Sequence, residues 1–126
     1  MAPDETVLVR EVMSTPLETI PATESVQTAA ERMRDHDISG LFVPGPDAGI
    51  VTTTDIVDVV AAGDDPAKVT VGDVMTAPVE RVTTEVELNE AAEMMTTYGI
   101  KHLPVVDNQS DYVGMVSSTD TTSEFE

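Results

Sequence analysis

Apolar positions recur at helical spacing in two places along this chain. Val26, Ala29, Ala30 and Met33 fall on one face of a helix predicted over 25–37, with Arg32, Arg34 and Asp35 on the outer side. Leu88, Ala91, Ala92 and Met95 do the same over 88–99, where Gly99 suits a left-handed C-cap. Short extended stretches rich in Thr, Val and Ile precede both helices, from Leu17 to Ile20 and from Val79 to Thr83. Two strands follow each helix. GLFV (40–43) and GIVT (49–52) flank PGPDA, and HLPVV (102–106) and YVGMVS (112–117) flank DNQSD, both linkers being rich in turn residues. A last helix begins at Asp55, with Ile56, Val59 and Val60 on its inner face, and another is seeded at Asp120.

The pattern repeats because the sequence repeats. Val12–Pro16 reads VMSTP and Val74–Pro78 reads VMTAP, an offset of 62 (74 − 12). That offset also aligns Val26 with Leu88, Met33 with Met95, Ile38 with Ile100, Leu41 with Leu103 and Val43 with Val105. Past a loop three residues shorter in the first copy, GIVTTTD at 49–55 matches GMVSSTD at 114–120. The expected organisation is a first repeat over 8–62, a linker over 63–69 and a second repeat over 70–126. Each repeat has the order β-α-β-β-α. Neither can cover its own sheet, so an α+β sandwich is expected, the copies packed sheet to sheet about a pseudo-two-fold axis.

Composition narrows the chemistry. Asp and Glu number 24 against 6 Lys and Arg, a net charge of −18 that repels nucleic-acid phosphates. The acids are dispersed along a periodic chain, from Asp4 to Glu124, rather than gathered into a tail. With only Lys68 and Lys101 as lysines, the composition points to the acidic skin of a halophile cytoplasmic protein, whose self-repulsion salt screens, rather than to an ordinary acidic protein. The absence of cysteine removes disulfides and thiolate chemistry. No apolar run reaches a membrane span, no leader pattern opens the chain, and no acidic cluster has calcium-loop spacing. Aromatic residues make up 3%, so the core must be aliphatic.

The two VM-x-x-P openings, GIKHLPVVD at 99–107 and the paired G-h-V-T/S-x-T-D segments (h apolar) resemble the CBS-domain family in its tandem form. The resemblance covers nearly the whole chain. It implies a regulatory, non-catalytic module that binds an adenine nucleotide (AMP, ADP, ATP or S-adenosylmethionine, with AMP or ATP foremost) in the cleft between repeats and signals to a partner protein. It calls for no cofactor and no metal. The residues suit that ligand. Asp55 and Asp120 stand at strand-to-helix junctions, where a carboxylate can accept from both ribose hydroxyls and the helix N-terminus favours phosphate. The simpler role for either aspartate is an N-cap. Thr52, Thr54, Ser117 and Thr119 add hydroxyls beside them. By resemblance, adenine is held by Met13 and Pro16, by Met75 and Pro78, and by the strand-entry residues Ile38, Ser39, Ile100 and Lys101.

The copies differ in charge. Lys101-His102 of the second stands where the first has the uncharged Ser39-Gly40, so Lys101 and His102 are the candidate phosphate cations for a nucleotide whose ribose is held by Asp55 or by Asp120. Small and apolar residues of AAERM and DIVDVVAA suggest a homodimer built through helices. The alternative function is a dimerisation or docking module without a ligand.

Overall fold

The computed structural model describes residues 6–125. It contains six helices and five strands among them: α1 (Val9–Val12), α2 (Val26–His36), β1 (Gly40–Val43), β2 (Gly49–Thr52), α3 (Thr53–Ala61), α4 (Val71–Val74), β3 (Val82–Thr83), α5 (Leu88–Tyr98), β4 (His102–Val106), β5 (Tyr112–Ser117) and α6 (Ser118–Phe125). The end of the second repeat, at Glu126, lies outside the described residues.

The helical expectations hold, for visible reasons. Ser25 caps α2 by accepting the Thr28 amide at 3.1 Å, and Gly99 ends α5 in the left-handed region at φ 66°. Asp37 takes the same conformation after α2, at φ 55°. The one-turn helices α1 and α4 were not foreseen, because four residues cannot show a period.

Two compact units result, and their membership crosses the repeat boundary. One comprises Glu18–Val79; the other comprises the residues up to Leu17 together with those from Glu80 onward. The opening of each repeat thus belongs to the unit carrying the other repeat's sheet. Backbone hydrogen bonds make the exchange symmetric. The Val9 amide donates to the Val86 carbonyl and the Leu88 amide to that of Val7; in the other unit, Val71 donates to Glu24 and Val26 to Val69.

Each core is aliphatic and receives one fully buried residue from an exchanged opening. Val9 joins Val82, Leu88, Ala91, Met95, Leu103, Val105 and Val116, while Val71 joins Ile20, Ala29, Met33, Leu41, Val43 and Val51. Both valines are fully buried, a contribution of about 1.5–3 kcal/mol each relative to exposure.

In the Glu18–Val79 unit, β1 and β2 form an antiparallel pair, and the Leu17–Ile20 stretch contributes only a parallel bridge from Thr19 to Phe42. In the other unit, β3 pairs parallel to β4 and β4 antiparallel to β5. The three-residue difference between repeats is not in the loop. Residues 44–48 and 107–111 are linkers of equal length, whereas β1 and β2 have 4 residues each against 5 and 6 in β4 and β5. It is the hairpin arms of the first copy that are shorter.

Three surface assignments change. Val60, placed on the inner face of α3 by its spacing, is 61% exposed, beside Val57 at 62%. The AAERM stripe, read both as the apolar face of α2 and as a dimer surface, places Ala29 and Met33 in the core. Arg32, read as an outer residue, is half-buried and donates to the Thr19 carbonyl at 2.9 Å, tying α2 to the extended stretch.

Candidate functional site

Each unit ends its hairpin in the same turn. The last strand residue leads directly into a helix, and an aspartate at the third helical position folds back over that turn. Asp55 Oδ2 accepts from the Thr52 amide at 2.8 Å and from the Thr52 hydroxyl at 3.2 Å. Asp120 Oδ2 accepts from the Ser117 amide at 2.7 Å and from its hydroxyl at 3.1 Å. The helices therefore start at Thr53 and Ser118, two residues before the aspartates from which they were expected to begin. The aspartates do cap, but by reaching back from inside the helix instead of standing at the N-cap. Both bonds fall on one oxygen, so the second oxygen of each carboxylate is not spent on the cap.

The same geometry sorts the neighbouring donors. The Thr53 amide donates to the Ser39 carbonyl at 3.1 Å and the Ser118 amide to that of Lys101 at 2.9 Å. The first amide of each helix is thus taken by the residue entering the hairpin. The hydroxyls of Thr52 and Ser117 are given to the aspartates, while Thr54 and Thr119 stand exposed.

The openings reach these hairpins through close backbone contact. Ser14 and Met115 exchange amide-to-carbonyl bonds of 2.8 and 3.1 Å, as Thr76 and Ile50 do at 2.9 and 3.0 Å. Glycine makes this approach possible. A Cβ on Gly114 would lie 2.8 Å from the Ser14 carbonyl oxygen and 2.9 Å from Met13 Sδ; one on Gly49 would lie 2.7 Å from the Thr76 oxygen and 3.0 Å from Met75 Sδ. This gives the glycine of the G-h-V-T/S-x-T-D segments a reason that the sequence did not reveal. Met13 and Met75 pack half-buried on the cores of their units, and the peptides before Pro16 and Pro78 are both cis.

The predicted site residues accordingly fall into two groups. Met13, Pro16, Ile100, Lys101, His102, Ser117, Thr119 and Asp120 lie in one unit; Ile38, Ser39, Thr52, Thr54, Asp55, Met75 and Pro78 lie in the other. The first opening accompanies the second hairpin, and the second opening accompanies the first.

Charge distinguishes the groups. His102 is the cross-strand partner of Ser117, and the equivalent pair in the other unit is Gly40 with Thr52. Burial lowers the His102 pKa below its ordinary 6.5, opposed by the Asp120 carboxylate and reinforced by the Lys101 ammonium. The shift disfavours the charged imidazole in the absence of an anion beside it. The four arginines are engaged elsewhere. Arg10 binds both Glu85 oxygens at 2.7 and 2.8 Å, Arg34 meets Asp35 at 3.0 Å, Arg32 holds the Thr19 carbonyl, and Arg81 lies 5.9 Å from the centroid of the Tyr112 ring. Lys101 is exposed at the strand entry.

The CBS-domain model matches residues 9–62 and 71–125. The chain belongs to the CBS-domain family. CBS-domain pair proteins are generally regulatory rather than catalytic. Among curated relatives, the chain is 35% identical over 102 residues to the uncharacterized protein MK0525 of Methanopyrus kandleri, a match covering 78% of this chain and 52% of that one. It is 33% identical over 107 residues to an inosine-5'-monophosphate dehydrogenase of Nitrosopumilus maritimus, covering 82% of this chain and 21% of that enzyme. The chain thus spans about half the length of the first relative and about a fifth of the second. Among solved structures, the CBS domain pair of protein MJ0100, in complex with 5'-methylthioadenosine and S-adenosyl-L-methionine, superimposes with a TM-score of 0.85 at 29% identity, covering 95% of this chain and 96% of that one. The α+β fold is that of a CBS pair. Among the described residues no helix is long and apolar enough to cross a membrane, and no three or more His, Asp and Glu residues are grouped so that they could hold a metal ion.

Proposed function

We propose that this chain is a regulatory module of two CBS repeats that binds adenosine ligands at its strand-to-helix junctions and transmits their occupancy to a partner protein. The reading assigns it no catalytic step. The observation that carries it is the duplicated aspartate. Each of Asp55 and Asp120 uses one carboxylate oxygen to hold its turn and leaves the other available to a ribose hydroxyl. An exchanged opening packs against the same hairpin, and its Met and Pro supply apolar surface for adenine. The methylthioadenosine and S-adenosylmethionine in the related MJ0100 pair support the ligand class; AMP, ADP and ATP are the phosphorylated members to be tested beside them.

The wider setting follows from composition and surface. The acidity fits a cytoplasm rich in salt, and the exposed Val57 and Val60 on α3 fit a helix-mediated homodimer. That apolar pair equally favours a second reading, in which the chain dimerises or docks without binding a ligand. Thermal shift against adenosine, AMP, ADP, ATP and S-adenosylmethionine separates the two. A concentration-dependent rise in Tm with at least one of them is expected, because a ligand that binds only the folded state stabilises it. No rise with any ligand at millimolar concentration overturns the binding reading in favour of the docking one.

A further inference from the structure

The two junctions share a backbone design and a ribose-binding carboxylate, but not a charge environment. In the unit containing Asp120, the six residues entering the hairpin are Thr97-Tyr98-Gly99-Ile100-Lys101-His102, with no carboxylate among them. Their equivalents in the Asp55 unit, Asp35-His36-Asp37-Ile38-Ser39-Gly40, contain two carboxylates and no lysine or arginine. The Asp35 carboxylate is met by Arg34; Asp37 stands exposed at the end of α2. One turn beyond the aspartates each helix carries one further carboxylate, Asp58 in α3 and Glu124 in α6, so the charge difference lies in the hairpin entries. Both hairpin entries touch the junction, since Ser39 and Lys101 each give a carbonyl to the first helical amide.

We infer that the two sites divide adenosine ligands by the charge of the 5′ substituent. The Asp120 site takes a phosphorylated adenosine, and the Asp55 site takes one whose 5′ group is neutral or cationic, such as a thioether or sulfonium. This rests on the adenosine reading proposed above and extends it to specificity. A phosphoryl group beside Asp120 meets Lys101 and draws a proton onto His102. The entry beside Asp55 offers it no lysine or arginine and carries the carboxylates of Asp35 and Asp37 instead, and like charges repel. A sulfonium reverses both preferences.

Calorimetry of AMP and S-adenosylmethionine on the full chain tests this, using wild type, Asp120→Asn and Asp55→Asn. Asparagine keeps an oxygen for the turn amide but replaces the second acceptor with a donor, so each variant retains its cap, as a melt would verify. One AMP per chain is expected, weakened about tenfold or more by Asp120→Asn and unaffected by Asp55→Asn, the loss of one charge-assisted bond. S-adenosylmethionine should show the opposite dependence. Ser39→Lys in the Asp120→Asn background should restore AMP binding, now at the Asp55 site. Both ligands answering to the same aspartate, AMP filling two equal sites, or no gain from Ser39→Lys overturns the division while leaving adenosine binding intact. Failure of the wild type to bind either ligand overturns the division, and failure to bind adenosine, ADP and ATP as well overturns the underlying reading.

Discussion

The two units are built alike and charged almost alike, yet they present different chemistry at the same turn. Counting lysine and arginine against aspartate and glutamate, the Glu18–Val79 unit carries 3 − 11 = −8 and the other carries 3 − 13 = −10. Their exchanged openings, glycine contacts and turn-capping aspartates correspond bond for bond. Beside the turn the charge difference is confined to a few positions, chiefly Lys101-His102 against Ser39-Gly40. Backbone geometry can therefore be kept by duplication while two substitutions at a strand entry change the charge beside the turn. The near-equal acidity of the units also shows that total charge cannot be the source of their difference.

The largest expected effect tests what the units share. Their charge should make folding strongly dependent on salt, because the screening length shrinks to about 3 Å near 1 M. Thermal melts in KCl from dilute buffer to molar concentration should show Tm rising steeply. A flat response would remove the halophile reading for both units together.

Glycine substitution comes next. Gly114→Ala and Gly49→Ala place a Cβ against the carbonyl of an exchanged opening, and overpacking of that kind costs about 1–3 kcal/mol. Urea unfolding should register comparable losses for the two. If only one glycine proved sensitive, the symmetry of the exchange would be broken in solution.

A smaller effect is expected at the turns. Asp120→Ala and Asp55→Ala each remove the acceptor of a turn amide, at about 0.5–2 kcal/mol, the range for lost helix caps. The asparagine variants should retain most of that stability. Serine, by contrast, is too short at the third helical position to reach back to the turn, so it cannot separate capping from ribose binding. Equal destabilisation by alanine and asparagine would show that the negative charge itself holds the turn.

The smallest effect is confined to one unit. Because burial lowers the His102 pKa, the folded state favours the neutral imidazole, while the unfolded chain titrates near about 6.5. The unfolded state then binds more protons as pH falls through that value. Stability is full above it and is lost on acidification toward the folded pKa. Compared with His102→Gln, the wild type should lose additional Tm between neutral pH and pH 5. For AMP the sign is opposite, since phosphate favours the charged imidazole. Affinity should weaken as pH rises, over a window that opens below 6.5. Parallel pH profiles for wild type and His102→Gln would show that His102 does not titrate as this geometry requires.

Much of this was legible in the chain. The duplication lies in plain sight in VMSTP and VMTAP, and the helical spacing of α2 and α5 survived folding because their buried faces are continuous apolar stripes. The strand pairs flanking residues 44–48 and 107–111 were equally clear from their turn residues. Candidate site residues could be named because Asp, Thr and Ser recur at matching positions of both copies. Their local charge difference required only the reading of four residues.

Other features depended on three-dimensional contact. Near-identical openings contain no record of which hairpin they join, since Val9 and Val71 have the same chemistry in either core. Only the formed backbone bonds, Ser14 with Met115 and Thr76 with Ile50, assign them. A four-residue helix is too short for periodicity, so α1 and α4 exist through the neighbours that hold them. Val60 lies outside the core although its spacing suggests otherwise, because a short helix can bury only one narrow face, which Val59 and Ile56 occupy. The charge of His102 belongs to the same class: a sequence supplies the imidazole, but how much water, Asp120 carboxylate and Lys101 ammonium surround it is set by packing, and packing is what moves its proton.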